Sequence, residues 1–537
     1  MNRTHAMVLA AALVGSAMLT PGAHATAGDD PVALSKAVEK ALAKQETRRT
    51  FVMTDKPLYR PGEVVWFRAF ELQAKTLAAM TADHGVTFQL FDPSGSKVME
   101  KRVLSQAGVA ANDFELPASI AGGKYRLRAA SDLGAEGERE ITVSVYELPQ
   151  VKKSLEFVKK SYRPGDAVTA VATLQAATGE PLKGARVTAL INVDGRELAR
   201  LVLFSSEQGK VYVRFDLPPA IQQADASLTL LVDAGGQTES LQRRIPVLLD
   251  KVSLAAYPEG GDLVAGLPSR VYIGAKDTLG DPAEVEAAIV DEAGAVKASF
   301  KSFHAGMARA SFTPEAGKTY RVKLSAKNGR QELPLPAPKS AGCVLQVEDD
   351  YRSAKPDIGV GVRCTVATKA MVTGVLRERL IAAGAAVASP GKAVRVALAA
   401  PDAVGAVRIT LFDEERRPLA ERLVYRGLGG QMKVTVTGDR PSYSPRDPVT
   451  LTITTEDRRG APVAADVALA VVDDTVLSFA DDKSGHILAK LYLEPEMPGQ
   501  KVVEPNFYFS ADPKAPEAMD LLLGTQGWRR FDWQLVK

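Results

Sequence analysis

From residue 50 onward the apolar residues of this chain fall mostly at every second position, in short runs. Val86, Phe88 and Leu90 alternate with Thr87 and Gln89, and Val467, Leu469 and Val471 alternate with Ala468 and Ala470. A period of two puts one set of side chains on a buried face and the other on a wetter one, which predicts strands. A helical period occurs just before this region, where Leu34, Val38 and Leu42 are four apart with lysines on the other side. That spacing predicts a short amphipathic helix, expected to pack on the first β-domain. A second helical segment is expected near the C-terminus, around Leu521, Leu522, Leu523 and Trp528.

The strand pattern repeats. A turn that enters a strand recurs as Tyr59-Arg60-Pro61-Gly62-Glu63-Val64, as Tyr162-Arg163-Pro164-Gly165-Asp166-Ala167-Val168, and in diverged form as Tyr443-Ser444-Pro445-Arg446-Asp447-Pro448-Val449. Asp-led turns recur at Asp92, Asp194, Asp291 and Asp413. The unit is near 100 residues, too long for a solenoid repeat and the size of a β-sandwich. Proline at the strand entries fits, since it has no N–H to give to a ladder. The expected fold class is therefore all-β, a tandem of immunoglobulin/fibronectin-III-like β-sandwich domains with a short N-terminal helix and a C-terminal helical segment. The expected divisions are 1–25 as a signal peptide, 26–49 as helix and linker, sandwiches over 50–148, 149–249, 250–339 and 340–430, and a fifth over 431–537 with a C-terminal extension.

Composition narrows the function. The 537 residues carry 67 Lys and Arg against 64 Asp and Glu, a net charge of +3, so no surplus of positive charge is there to neutralise a phosphate backbone and nucleic acid is not an expected partner. Gly (43) and Pro (32) suit many turns between short strands. At the N-terminus, Arg3 and the apolar stretch Ala6 to Leu19 precede two A-x-A sites ending near Ala25 and Ala27. This reads as a secretory signal cleaved near Ala25 or Ala27, leaving a periplasmic or secreted protein. The apolar stretch is shorter than the ~20 residues that span a bilayer, and no later segment is long and apolar enough to do so. No cysteine lies near the cleavage site, so a lipid anchor is not indicated.

Several motifs resemble one family. Thr54 to Glu63 followed by Val64 to Phe70 looks like the opening of the second macroglobulin-like domain of the α2-macroglobulin and complement superfamily. Val145-Tyr146-Glu147-Leu148-Pro149 resembles the exit of that domain, and Ser161 to Gly165 the start of the next. Tyr257-Pro258-Glu259-Gly260-Gly261-Asp262-Leu263-Val264 resembles the following domain in bacterial relatives, Val467 to Asp474 the sixth, and Leu521 to Trp533 a segment of bacterial macroglobulin-domain proteins. The resemblance implies a string of macroglobulin-like sandwiches and an endopeptidase-inhibitor-like function by protein binding. It implies no thioester trapping, because no Cys-Gly-Glu-Gln-like motif is present. Cys343-Val344-Leu345-Gln346 has the C-x-x-Q spacing but lacks the Glu and sits at a strand start. The irregular stretch Pro495 to Pro516 lies where the family carries a bait segment, and either an exposed cleavable loop or a plain connection fits it. The other reading of the whole is a structural or adhesive envelope scaffold that assembles with another envelope protein.

The two cysteines have a structural reading of their own. With Cys343, Leu345 and Val347 on one strand face and Ile358, Val360, Val362 and Cys364 on its partner's, Cys343 faces Cys364. A disulfide is the expected state in an exported chain, with two buried thiols the alternative.

No enzymatic chemistry finds its residues. His84, His304 and His486 lie in separate repeats with no H-E-x-x-H or paired ligand spacing, so no metal site is expected. No serine stands in a G-x-S-x-G setting. Gly317-Lys318-Thr319 imitates the end of a P-loop, but Phe312 holds the place of its first glycine. No catalytic residue and no cofactor are expected. Candidate partner-binding residues are Trp528, Arg529, Arg530, Phe531 and Trp533, because Trp and Arg are enriched at interface hot spots. The competing reading has Trp528 docking a terminal helix on the last sandwich. The tyrosine turns are expected to be corners that brace each sandwich, each hydroxyl meeting a nearby backbone group.

Overall fold

The computed structural model describes residues 30–528 apart from 43–47, 145–150, 177, 222–224, 235–236, 248–251, 278–279, 326–330, 349–354, 428–431, 445, 458, 468, 470, 472–486 and 498–501. The signal segment, Val145 to Pro149, His486 and residues 529–537 lie outside the described residues.

Alternation becomes burial in every complete unit. In Lys210–Asp216, Val211, Val213 and Phe215 are buried and their neighbours are exposed. In Arg186–Val193 the same rhythm buries Val187, Ala189, Ile191 and Val193. Four sandwiches result, each with its own apolar core. The first pairs a three-stranded sheet (Arg48–Thr54, Val64–Gln73, Val109–Glu115) with a five-stranded one that includes His84–Phe91 and Gly123–Ser131. The next three repeat one plan: a three-stranded sheet whose middle strand is the second of the unit, against a four-stranded sheet. The three-stranded sheets are centred on Ala167–Ala176, Ser269–Lys276 and Asp357–Cys364.

The tyrosine turns are corners, as expected, but their hydroxyls divide. Tyr162 donates to the carbonyl of Thr169 (3.0 Å). Tyr59 donates to the Asp55 carboxylate (2.5 Å) and Tyr443 to that of Asp439 (2.6 Å). Each also accepts a backbone N–H, from Lys159, Lys56 and Arg440 respectively. The turn needs a left-handed residue, supplied by Gly62 and Gly165 and, in the diverged copy, by Arg446 (φ 75°).

Cys343 and Cys364 face each other across adjacent strands and form a disulfide. Closing a loop of 21 residues stabilises by roughly 3 kcal/mol in the chain-entropy picture. Gly317-Lys318-Thr319 is a turn before Tyr320–Leu324.

The helix Asp30–Leu42 corrects one expectation. Leu34 and Val38 pack on Met371, Val375 and Phe412, so the helix lies on the fourth sandwich and not the first. The strands beneath it show why: Thr368–Leu376 and Gly405–Phe412 are apolar on both faces, and the outer face needs a cover. Its contact with the first sandwich is at its end, where the Lys75 ammonium donates to the carbonyl of Leu42 (3.1 Å).

Of residues 431–537, the described part forms an antiparallel ribbon, Lys433–Gly438 with Leu451–Glu456, and a helical segment beginning near Ile487. The latter does not sit on a fifth sandwich. It turns back and fills the crevice between the third and fourth.

Candidate functional site

The residues that fill that crevice are those of two separate sequence motifs. From Ala489 to Trp528 the chain runs as a π-helical turn (Ala489–Leu493), a 3-10 turn (Glu494–Glu496), a short helix (Pro505–Tyr508) and a longer one (Ala515–Thr525). Pro505 and Pro516 stand in the first turns of the two helices, where a missing N–H costs nothing. Leu493, Met497, Val502, Tyr508, Met519 and Leu521 to Leu523 are buried against Tyr272, Met307, Leu423 and Tyr425. Within Pro495 to Pro516, Met497, Val502, Tyr508 and Ala515 are anchored in the core, while Ser510 to Lys514 form an exposed loop between the two helices, so an exposed loop and a connection are both present over the described residues.

At the centre lies a buried ionic cluster. Asp520, on the last helix, accepts from Arg422 of the fourth sandwich, from Arg309 (3.0 Å) and from the hydroxyl of Tyr272 (3.0 Å) on the third. Arg422 also pairs with Glu259 (3.3 Å), donates to the Tyr272 oxygen (2.8 Å) and lies over that ring, 4.2 Å from its centroid. Arg270 stands 3.5 Å from Glu259. Burial pushes the Glu259 carboxyl up from its ordinary value, against the pull of Arg422 and Arg270. Burial likewise pushes up the Tyr272 hydroxyl. Gly524 is where the helix crosses the Tyr272 ring, and any Cβ there would collide with ring atoms.

Trp528 completes the contact. Its indole N–H donates to the carbonyl of Pro258 (2.9 Å) and its ring lies 5.4 Å from that of Tyr257. Tyr257 to Gly261 and Leu521 to Trp528, far apart in sequence, therefore meet as two halves of one interface. Trp528 is spent inside the chain, half-buried, which agrees with a docked terminal helix except that the helix docks between the third and fourth sandwiches. Arg529, Arg530, Phe531 and Trp533 lie outside the described residues.

A second set of contacts ties the first sandwich in. Arg49 donates to the carbonyl of Leu491 and stands 3.8 Å from Glu496, which also meets Arg408 at 3.6 Å. Arg377 of the fourth sandwich donates to the carbonyl of Lys75 (3.3 Å) in the first and lies over Tyr492.

The histidines stay apart. His84 is buried between the Glu71 carboxylate and the carbonyl of Ala82. His304 stacks on Phe507, centroids 4.0 Å apart, and burial holds its imidazole below the ordinary value. Among the described residues no group of three or more His, Cys, Asp or Glu side chains could hold a metal ion. The arrangement can clamp, and it brings no nucleophile against a base. Reading by motif missed Arg422 and Asp520. Their signal was a charge set in an apolar run, Asp520 beside Met519 and Leu521 to Leu523, Arg422 beside Leu423 and Val424.

Residues 49–145 match the MG2 domain family. The chain is 22% identical over 347 residues to a curated alpha-2-macroglobulin of Thermotoga maritima, covering 62% of this chain and 22% of that protein. It is 28% identical over 144 residues to the alpha-2-macroglobulin of Ralstonia nicotianae, covering 26% of this chain and 9% of that one. A solved structure of trypsin-activated alpha-2-macroglobulin from Escherichia coli superposes with a TM-score of 0.49 at 13% identity, over 83% of this chain and 36% of that one. The chain thus spans about a fifth of the length of its Thermotoga relative. With an MG2 domain at 49–145 in a string of β-sandwiches, and curated relatives of that kind, the chain is similar to the alpha-2-macroglobulins over these stretches.

Proposed function

We propose that this is an exported, periplasmic or secreted, non-enzymatic protein that acts as an endopeptidase-inhibitor-like macroglobulin by binding protein, without thioester chemistry. The observation that carries the reading is the MG2 domain at 49–145 together with the 347-residue alignment to an alpha-2-macroglobulin. The partner is a protease, hindered sterically. No helix among the described residues is long and apolar enough to cross a membrane.

The test is incubation of the purified chain with unrelated proteases, followed by gel filtration and assay on large and small substrates. A protease that co-elutes, loses at least tenfold activity on protein substrates and keeps its activity on small peptides supports the reading. Full activity on proteins with no co-elution overturns it. One observation favours the second reading, an envelope scaffold assembling with another protein: the described part of 489–528 is packed between sandwiches and stiffens them, which suits a spacer.

A further inference from the structure

The ribbon Lys433–Gly438 and Leu451–Glu456 matches the opening of the first sandwich in hydrogen bonding and register. Asp439 takes the place of Asp55: its carboxylate accepts from the Tyr443 hydroxyl and the N–H of Thr450, as that of Asp55 does from Tyr59 and Trp66. Its own N–H donates to the carbonyl of Thr450, as that of Asp55 does to Trp66. The register agrees, with Val436 opposite Ile453 and Val52 opposite Ala69. The ribbon is therefore the first two strands of a further sandwich, already bent to shape.

What surrounds the two copies differs. In the first sandwich Val52 (3%), Val65 (0%) and Phe67 (3%) are buried, but their counterparts Val436 (51%), Val449 (53%) and Leu451 (36%) are exposed. In all four complete sandwiches the middle strand of the smaller sheet is paired on both edges, the second partner being Val109–Glu115, Lys210–Asp216, Met307–Phe312 or Val394–Ala399. Among the described residues the only strand paired with Leu451–Glu456 is Lys433–Gly438; on its other edge just the end is taken, where the Val463 N–H donates to the Thr455 carbonyl (3.0 Å), and Leu451 to Thr454 have no partner strand. The first sandwich goes on from Phe91 with four more strands to reach Val143. Here the interval from Val471 to Ala489, where the chain is already buried elsewhere, is too short for four strands.

We propose that residues 433–456 are a docking site for a β-strand donated by a second polypeptide. The strand runs antiparallel along the open edge of Leu451–Glu456 and sets alternate apolar side chains against Val436, Val449, Leu451 and Ile453. Main-chain hydrogen bonds supply affinity and the alternating pockets supply specificity. An edge with an apolar face is otherwise an aggregation hazard. The four filled copies state the chemistry of the donor: about seven residues, apolar at every second one, polar between.

The proposal does not rest on protease binding, and its test does not use a protease. The probe is a synthetic peptide of residues 210–219, which contains the strand filling the corresponding edge of the second sandwich. Added to the intact chain, it is expected to slow amide exchange in 451–456 at least tenfold and to bind one to one. A scrambled peptide without alternation is expected to have no effect, and Ile453→Asp to abolish binding while exchange in the fourth sandwich stays unchanged. No protection at millimolar peptide overturns the proposal. So does protection that grows with protein concentration alone, which would identify a second copy of this chain as the occupant.

Discussion

Asp520 is a buried carboxylate beside Met519 and Leu521 to Leu523, and three donors from two sandwiches converge on it. Removing one partner of a buried pair leaves the other desolvated and uncompensated, which costs about 3–5 kcal/mol. Asp520→Ala is therefore expected to lower stability by about that much and to raise amide exchange across 515–525, read by denaturant titration with exchange mass spectrometry. Unchanged values would show that packing alone seats the helix. His304 gives a pH dependence of definite sign. Its folded imidazole is held below the ordinary value of about 6.5, so the unfolded chain takes up the proton first as pH falls. The stability of this contact is present above about pH 6.5 and lost as pH drops toward the depressed folded value. Protection factors at Phe507 and Tyr508, corrected for the intrinsic pH dependence of amide exchange, should fall between pH 7 and 5, and His304→Leu should abolish that fall. The alternating core was legible residue by residue from the sequence. The ionic cluster was not, because its charges, Glu259, Arg270, Arg309, Arg422 and Asp520, are distant in sequence and only the packing of two sandwiches brings them together.

The elements divide in the same way. Strand identity follows from a local period of two, and the disulfide followed from the register of adjacent strands, so both were within reach of pattern alone. The helix Asp30–Leu42 was equally plain, yet its address was not. An apolar stripe says that a helix needs a cover and nothing about which surface supplies it. The answer lies in Met371, Val375 and Phe412, on strands that are apolar on both faces. Val38→Asp places a charge in that contact. It is expected to free the helix and expose Met371 and Phe412, with faster exchange in 30–42 and in the outer face of the fourth sandwich, and no change in the second. Equal exchange in wild type and variant would deny the docking. The helix Ala515–Thr525 repeats the lesson with Gly524, whose lack of a side chain reads as a weak point in a helix but is what admits the Tyr272 ring.

At the scale of the molecule, the chain doubles back so that sandwich one touches sandwich four through Arg377 and the crevice segment through Arg49, while three and four share that segment. Limited proteolysis with several proteases should therefore spare Ala489–Met497 and Ala515–Thr525 at times when exposed connections such as Ser510–Lys514 are cut. Early cuts within Ala515–Thr525 would mean that the crevice segment opens readily. The period of the repeat was visible in the sequence, but the expected fifth sandwich is a two-stranded ribbon over its described strands, and the return of the chain on itself depends on contacts hundreds of residues apart that no periodicity encodes. That separation has a consequence in time. Leu34 and Val38 are synthesised long before Met371 and Phe412, and at about 5–20 residues per second tens of seconds pass between them. During that interval the helix has no surface to rest on and too few turns to persist by itself. The fourth sandwich, when it emerges, finds its missing cover already made hundreds of residues earlier, so a late step of assembly joins an early-made segment to a late one.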